Sequence, residues 1–117
     1  MFDLGSSTQV YLACGSTDLR KSFFSLAAIV KIKFRLDPYS KCMFVFCNNN
    51  RNLVKCLQWD GNGFWLIMKK LSNGKFEWPQ NNPEVKTVSG KELRYLLEGL
   101  GLDQKSTFKD SHPTVII

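Results

Sequence analysis

The sequence predicts an α+β domain in which an antiparallel β-meander of four to five strands packs with two α-helices. Two segments, residues 19–34 and 90–100, repeat apolar residues at spacings of three and four, as amphipathic helices do. Between them, short apolar runs alternate with Asn- and Gly-rich turns, which is the pattern of consecutive hairpins. A chain of 117 residues fits one domain with a single core.

The first part of the chain is predicted to form a strand and then a helix. Residues 9–14 are an extended apolar run that a glycine closes, and Thr17 or Asp18 then offers a side chain that can cap a helix. The helix is predicted over residues 19–34, and it ends before Pro38 because proline disfavours helical geometry at the preceding residue. Its apolar face contains Leu19, Phe23, Leu26, Ala27, Val30 and Phe34.

The middle of the chain is predicted to form the meander. Residues 60–63, Asp-Gly-Asn-Gly, are the strongest turn signal, because Asp-Gly and Asn-Gly readily adopt the positive φ of tight hairpins. Residues 48–52 and 72–74 are two further polar turns. The predicted strands are residues 42–47, 53–59, 64–71 and 75–78. The first of them is apolar throughout, so we expect it to be buried on both faces.

A second helix is predicted after a loop at residues 80–83. Ser89 and Glu92 have the spacing of a capping box, in which each side chain accepts a hydrogen bond from the other residue's backbone N–H. The apolar face of this helix contains Leu93, Leu96, Leu97 and Leu100, and Gly99 and Gly101 end it. We therefore expect one domain over residues 1–102 and a C-terminal tail over residues 103–117.

The net charge of +6 is unevenly distributed. Residues 1–75 contain eleven Lys or Arg and four Asp or Glu, whereas residues 76–117 contain five and six. A basic segment of this kind suits a polyanion, although a solvated basic face without a partner has the same composition. Arg20 and Lys21 would lie in the first helical turn, where cations oppose the helix dipole and a phosphate would compensate them. The candidate nucleic-acid-binding residues are Arg20, Lys21, Lys31, Arg35, Arg51, Lys55, Lys69, Lys70 and Lys75.

No catalytic or metal site is predicted. Asp18, Asp37 and Asp60 are the carboxylates that a metal-dependent nuclease could use, but each occupies a position typical of a helix cap or turn. The four cysteines contain no Cys-x-x-Cys pair, so we interpret them as reduced, small apolar residues. The chain also lacks a Gly-rich phosphate loop, and we expect no cofactor.

Aromatic residues are concentrated in the predicted meander. Trp59, Phe64, Trp65 and Trp78 could stack on the bases of single-stranded nucleic acid, or they could form part of the core, which is the commoner role. Phe64 and Trp65 point to opposite faces of their strand. Both can therefore be core residues only if both faces of the sheet are covered.

Five blocks of sequence resemble the small accessory protein of the insertion sequence 66 family, and they follow one another in the family's order. This protein is the TnpB type, which is encoded beside the transposase in bacterial mobile elements. The blocks lie within residues 17–27, 37–46, 53–64, 69–79 and 92–100, and include Thr17-Asp18-Leu19-Arg20-Lys21, Asp37-Pro38-Tyr39-Ser40, Trp59-Asp60-Gly61 and Trp78-Pro79. The chain departs from the family at residues 48–52, where Asn replaces a run of Arg and Lys. Asn can still donate hydrogen bonds to phosphate oxygens.

The resemblance implies a non-catalytic accessory protein of a transposition system in the bacterial cytoplasm. Its implied partners are the DNA of the mobile element, the transposase and a sister accessory protein. Two functions remain open at this point: direct binding of DNA, and a protein–protein adaptor for the transposase that makes no DNA contact. No apolar run reaches the roughly 18 residues that a membrane span needs.

Overall fold

A five-stranded sheet forms the centre of the computed structural model, which describes residues 8–80 and 83–99. The strands are β1 (Val10–Ala13), β2 (Met43–Cys47), β3 (Leu53–Trp59), β4 (Phe64–Lys70) and β5 (Val85–Val88). The helices are α1 (Phe23–Ala28), which continues as a π-helix over Ile29–Lys33, and α2 (Gly90–Leu97). The predicted α+β class is confirmed. None of the helices in this part of the chain is long and apolar enough to cross a membrane.

The sheet has the order β4-β3-β2-β1-β5. Strands β2, β3 and β4 form the predicted antiparallel meander, and the Asp60–Gly63 hairpin closes with a hydrogen bond from the Asp60 N–H to the Gly63 carbonyl at 2.8 Å. Strand β1 is parallel to β2, because a crossover connection that contains α1 joins the two strands. The carboxyl ends of β1 and β2 therefore lie at the same end of the sheet.

Each face of the sheet is covered by one helix. The α1 face buries Leu26, Val30, Phe44 and Phe46, all of which are at most 2% exposed. The other face, covered by α2, contains Val10, Leu12, Met43, Val45, Cys47, Val54, Cys56, Phe76, Trp78, Val88, Leu93 and Leu96. Strand β2 is buried along its whole length, as predicted, because it lies between these two layers.

The first helix begins four residues later than predicted. Asp18 does not cap it; its carboxylate instead accepts the backbone N–H of Arg20 at 3.1 Å and so forms a turn. The N–H of Thr17 donates to the Cys47 carbonyl at 2.8 Å, which holds this segment against the end of β2. Ser22 then precedes the helix with extended backbone angles. Arg20 and Lys21 therefore lie in the segment before α1 and not in its first turn.

The strand predicted at residues 75–78 is wrong, because this segment joins no sheet. It lies on the α2 face, with Phe76 fully buried and Trp78 only 4% exposed. Its backbone is anchored to loops: the Phe76 N–H donates to the Arg51 carbonyl at 2.6 Å, and the Gly15 N–H donates to the Pro79 carbonyl at 2.8 Å. The Trp78 indole N–H donates to the Ala13 carbonyl at 2.8 Å. The segment is thus a covering strap for the core.

The fifth strand, β5, was not anticipated, and it extends the sheet beyond β1 in the antiparallel direction. The chain then enters α2 through the predicted capping box: Glu92 N–H donates to Ser89 Oγ at 3.1 Å, and Ser89 N–H donates to Glu92 Oε1 at 2.9 Å. Leu93 and Leu96 are buried as predicted, and Gly99 has the positive φ of a helix end. Leu100, Gly101 and the tail lie outside the described residues.

Candidate nucleic-acid interface

Two adjoining grooves open at the carboxyl ends of β1 and β2, one on each side of the turn at residues 48–52. Their volumes, about 520 and 500 Å³, are in the range of small-molecule sites. The first is lined by Ser16, Thr17, Asp18, Leu19, Arg20, Asn48, Asn49, Asn50 and Leu53. The second is lined by Gly15, Ser16, Asn48, Asn49, Arg51, Trp78 and Gln80. We call them the paired grooves; clefts at the carboxyl ends of parallel strands are common ligand sites.

The wall between the paired grooves is a turn that Asn48 organises. Its side-chain oxygen accepts the backbone N–H groups of Asn52 and Leu53 at 3.0 and 3.1 Å, and its amide group donates to the Asn52 side chain at 2.8 Å. Arg51 has a φ of 57°, the left-handed conformation that a tight turn requires and that costs a non-Gly residue free energy. Asn49 and Asn50 are exposed at the tip of the turn, so their amides face solvent.

Asp18 and Arg20 form an ion pair at the mouth of the first groove. Arg20 Nε lies 3.0 Å from Asp18 Oδ1, and the second guanidinium nitrogen lies 3.1 Å from Oδ2. The side-chain hydrogen bond from Arg20 is the main cause that lowers the pKa of Asp18 to about 2. The pair fixes the direction of the guanidinium, which is 91% exposed.

An Arg20→Gln substitution is expected to raise the pKa of Asp18 from about 2 toward the roughly 3.9 of an unperturbed aspartate. Because the folded-state pKa is depressed, the stabilising effect of the pair is present above about pH 4 and is lost as the pH falls through about 2. NMR titration of the Asp18 carboxyl carbon measures the shift. Lys33→Gln, which removes an exposed charge on the π-helix, is the matched control and should leave this pKa unchanged. An equal shift in both variants would mean that general charge, and not this pair, sets the value.

The nine predicted basic residues divide into four groups. Arg20 and Arg51 line the paired grooves. Lys70 and Lys75 are exposed at the same end of the sheet, because Lys70 pairs with Leu53 in the β3–β4 ladder and Lys75 precedes the Phe76 that bonds to Arg51. Lys21, Lys31 and Arg35 are exposed but line neither groove.

The remaining two, Lys55 and Lys69, make hydrogen bonds within the fold. Lys55 Nζ donates to the Leu19 carbonyl at 2.6 Å and so ties the segment before α1 to β3. Lys69 Nζ donates to the Leu97 carbonyl at 2.7 Å, at the C-terminus of α2, where a cation is favoured. These contacts give both lysines a structural role that their sequence positions did not reveal.

The three carboxylates singled out in the sequence all act in turns. Asp37 accepts the Tyr39 N–H at 2.9 Å, and Asp60 accepts the Trp65 indole N–H at 2.8 Å next to the hairpin turn. Asp18 forms the turn before α1. Among residues 8–80 and 83–99, no three His, Cys, Asp or Glu side chains converge as metal ligands would.

All four cysteines are free thiols. Burial raises the pKa of Cys47 to about 11 and that of Cys56 to about 12, and it also raises the pKa of Cys14. Neutral thiols are poor nucleophiles and poor metal ligands. These three cysteines therefore fit the predicted role of small apolar residues.

The aromatic residues are mostly part of the packing. Trp59 and Phe64 contact each other and Tyr39, with ring centroids 5.0–5.5 Å apart, and Trp78 is buried on the opposite face. Trp65 points to the other side of β4 from Phe64 and is 41% exposed. Of the four aromatic residues considered for base stacking, Trp65 has the most accessible ring.

Sequence analysis missed the neutral residues of the paired grooves. Ser16, Thr17, Asn48 and Asn49 carry hydroxyl and amide groups there, but the candidate residues named from the sequence were all Lys or Arg. The Asn-rich turn was the available signal, since side-chain amides and hydroxyls commonly contact phosphate oxygens.

Comparison with known proteins identifies relatives along most of the chain. Residues 8–107 match the family model described as IS66 Orf2 like protein. The uncharacterized protein y4hO of Sinorhizobium fredii (strain NBRC 101917 / NGR234) is 36% identical over 100 residues, which cover 86% of this chain and 87% of y4hO. The uncharacterized protein y4jC of the same strain is 32% identical over 92 residues, or 79% of each chain. No solved structure matches the chain.

Proposed function

The chain belongs to the IS66 Orf2-like family, whose members have an accessory role in IS66 transposition, and from this premise we propose that it is a non-catalytic accessory protein that binds the DNA of the mobile element. The paired grooves are the proposed contact surface. Their position at the end of the sheet, with Lys70 and Lys75 exposed beside them, supports an approach by one stretch of phosphate backbone.

The observation that carries the proposal is the set of hydrogen-bond donors in the paired grooves. Ser16, Asn48 and Asn49 line both grooves, whereas Thr17 lines only the first and Arg51 only the second. Their side chains carry hydroxyl, amide and guanidinium donors, although one amide N–H of Asn48 is bonded to Asn52. Donors of these types contact phosphate oxygens and fix the position of a protein on DNA without reading its sequence. This neutral-rich lining compensates for the missing run of Arg and Lys at residues 48–52.

The charge in and around the grooves supports a polyanion as the ligand. Arg20 and Arg51 lie in the lining, and Lys70 and Lys75 stand at the same end of the sheet. Asp18 partly neutralises Arg20, so a phosphate must compete with this carboxylate for the guanidinium. The carboxylates of Asp18, Asp37 and Asp60 serve turns, which supports a role in binding and not in strand cleavage.

The test compares two double variants that remove the same charge from different surfaces. Arg20→Gln with Arg51→Gln removes the groove cations, and Lys31→Gln with Lys33→Gln removes exposed helix cations. Binding to duplex DNA is measured across a salt series by fluorescence anisotropy. Each lost phosphate contact reduces the slope of log K against log salt by about 0.9, so we expect a reduction of about 1.8 for the groove variant and little change for the control.

Three results would contradict the proposal. They are the absence of wild-type binding at low salt, a salt slope near zero, and a greater loss in the helix variant than in the groove variant. Comparing a duplex from the ends of the element with a random duplex of equal length then separates specific from general DNA binding. A tighter complex with the element ends would indicate that the protein also reads shape or bases.

A protein–protein adaptor for the transposase is the second candidate, and exposed apolar residues on the first helical segment favour it. Phe24 is 70% exposed and Ile32 is 76% exposed. Large apolar side chains that are exposed near one another on a surface commonly mark a site of protein–protein interaction. Co-purification of the wild type and of a Phe24→Ser, Ile32→Ser variant with the transposase tests this function. A wild-type chain that stays alone at micromolar concentration would count against it.

A further inference from the structure

Strand β4 is an edge strand of the described sheet, and it is unusually apolar for an edge. Trp65, Leu66, Ile67 and Met68 are 41%, 38%, 37% and 58% exposed, and they alternate between the two faces. Within residues 8–80 and 83–99, β4 pairs with β3 alone, through seven consecutive residue pairs without a bulge. A long, regular, apolar edge is a template on which another strand can pair.

The opposite edge of the sheet has the features that prevent such pairing. Strand β5 has four residues, and the exposed Lys86 and Thr87 occupy its centre. Short edge strands and edge lysines are common means of blocking strand addition. Strand β4 has neither feature between Phe64 and Met68, and its two lysines come only at its end.

We propose that a second copy of the chain pairs with this one through β4, in antiparallel orientation about a two-fold axis at Ile67. Trp65 of one copy then lies opposite Lys69 of the other, Phe64 opposite Lys70, and Leu66 opposite Met68. The two sheets become one continuous sheet of ten strands. A two-fold axis perpendicular to the sheet keeps the α1 faces on one side and the α2 faces on the other.

The charge pattern of β4 is what selects a second copy and this orientation. Its aromatic residues lie at one end and its lysines at the other, so antiparallel self-pairing places Lys70 beside Phe64 of the other copy, where a cation and an aromatic ring attract each other. Lys69, whose ammonium binds the Leu97 carbonyl, packs its aliphatic stem beside Trp65 of the other copy. Parallel self-pairing would place Lys69 and Lys70 directly beside their equivalents, and like charges in register are destabilising. The strand is therefore complementary to itself in the antiparallel register.

The first experiment measures mass by sedimentation equilibrium for the wild type and two edge variants. Met68→Glu places a carboxylate beside Lys55, its neighbour across the β3–β4 ladder, which favours retention of the fold. It also puts two carboxylates diagonally across the proposed axis on one face of the joined sheet, each opposite the apolar Leu66 of the other copy. Thr87→Glu makes the same change in charge on the exposed part of β5. We expect the wild type and Thr87→Glu to have twice the 13.4 kDa chain mass, and Met68→Glu to dimerise at least about 100-fold more weakly.

The second experiment tests the register by cysteine cross-linking under mild oxidation. Residues directly opposite each other in an antiparallel pair have Cα atoms about 4.5–5.5 Å apart, a separation that a disulfide bridges. Ile67→Cys should therefore yield a covalent dimer on a non-reducing gel, and Leu66→Cys, which lies opposite Met68, should yield far less. The wild type gives the background from its own cysteines.

A wild type that remains a monomer at 100 µM would overturn the proposal and would leave β4 as an edge for a different protein. Equal dissociation by Met68→Glu and Thr87→Glu, or equal cross-linking at positions 66 and 67, would also overturn it. Both experiments use the protein without DNA. The outcome is therefore independent of the function proposed for the grooves.

Discussion

A Phe76→Ala substitution is expected to lower the free energy of unfolding by about 3–5 kcal/mol, a large part of the roughly 5–15 kcal/mol typical of a domain. Phe76 is fully buried on the α2 face, although its backbone belongs to no strand. Removing its ring leaves a cavity beneath a strap that is held by few backbone hydrogen bonds, so loss of packing should also loosen Trp78. Urea denaturation followed by circular dichroism measures the change.

Glu77→Ala provides the control, because Glu77 lies next to Phe76 in the same strap but is exposed. Its effect should remain within about 0.5 kcal/mol, as for most surface substitutions. A loss of less than about 1 kcal/mol for Phe76→Ala would mean that the strap contributes little to the stability of the core. It would contradict the assignment of residues 75–78 as a strap that covers the core.

The second large effect is expected at Asn48, which both stabilises its turn and lies at the proposed DNA contact. Asn48→Ala removes the acceptor of two backbone N–H groups and the donor to Asn52, and leaving such groups without a partner costs about 1–3 kcal/mol. The wall between the paired grooves should then lose its fixed shape. We expect a lower midpoint of urea denaturation together with weaker binding of duplex DNA.

Asn48→Asp separates these two effects. A carboxylate can still accept the N–H groups of Asn52 and Leu53, so this variant should retain more stability than Asn48→Ala. It nevertheless places a negative charge between the grooves and removes an amide donor, and it should therefore bind DNA more weakly than the wild type at every salt concentration. Wild-type affinity in Asn48→Asp would exclude the turn from the DNA contact.

Local signals predicted those elements that local interactions determine. The capping box of Ser89 and Glu92 and the hairpin at Asp60 depend on residues within four positions of each other, and both formed as expected. The start of α1 was misplaced because Asp18 has two local options, a helix cap and a turn with Arg20. The choice between them depends on a distant contact, the bond from Thr17 to Cys47.

The features that the sequence did not reveal depend on partners far away in the chain. Strand β5 has only four residues and pairs with β1, more than 70 positions earlier. Residues 75–78 have strand-like composition, but their hydrogen bonds go to Arg51 and Ala13 and not to a neighbouring strand. Composition cannot distinguish an extended strap from a strand, because both bury alternate aromatic residues.

The candidate site was predicted only in part, because its lining also depends on contacts between residues that are distant in the chain. Charge counting found Arg20 and Arg51, which do line the grooves, but it grouped them with Lys55 and Lys69, whose ammonium groups bind backbone carbonyls. A lysine that ties two elements together has the same sequence appearance as one that contacts a ligand. The distinction required the sheet register that places Lys55 beside the segment before α1.

The short, lysine-bearing β5 has a consequence for the size of any assembly. Pairing through β4 uses the one edge of the described sheet that is long and apolar, and the outer edge of each copy is then a β5 strand that resists addition. A two-fold contact of this kind is closed, whereas a molecule with two adhesive edges would polymerise into a fibre. In the proposed dimer, the asymmetry between the edges would limit growth to a discrete particle whose two sets of paired grooves point in opposite directions.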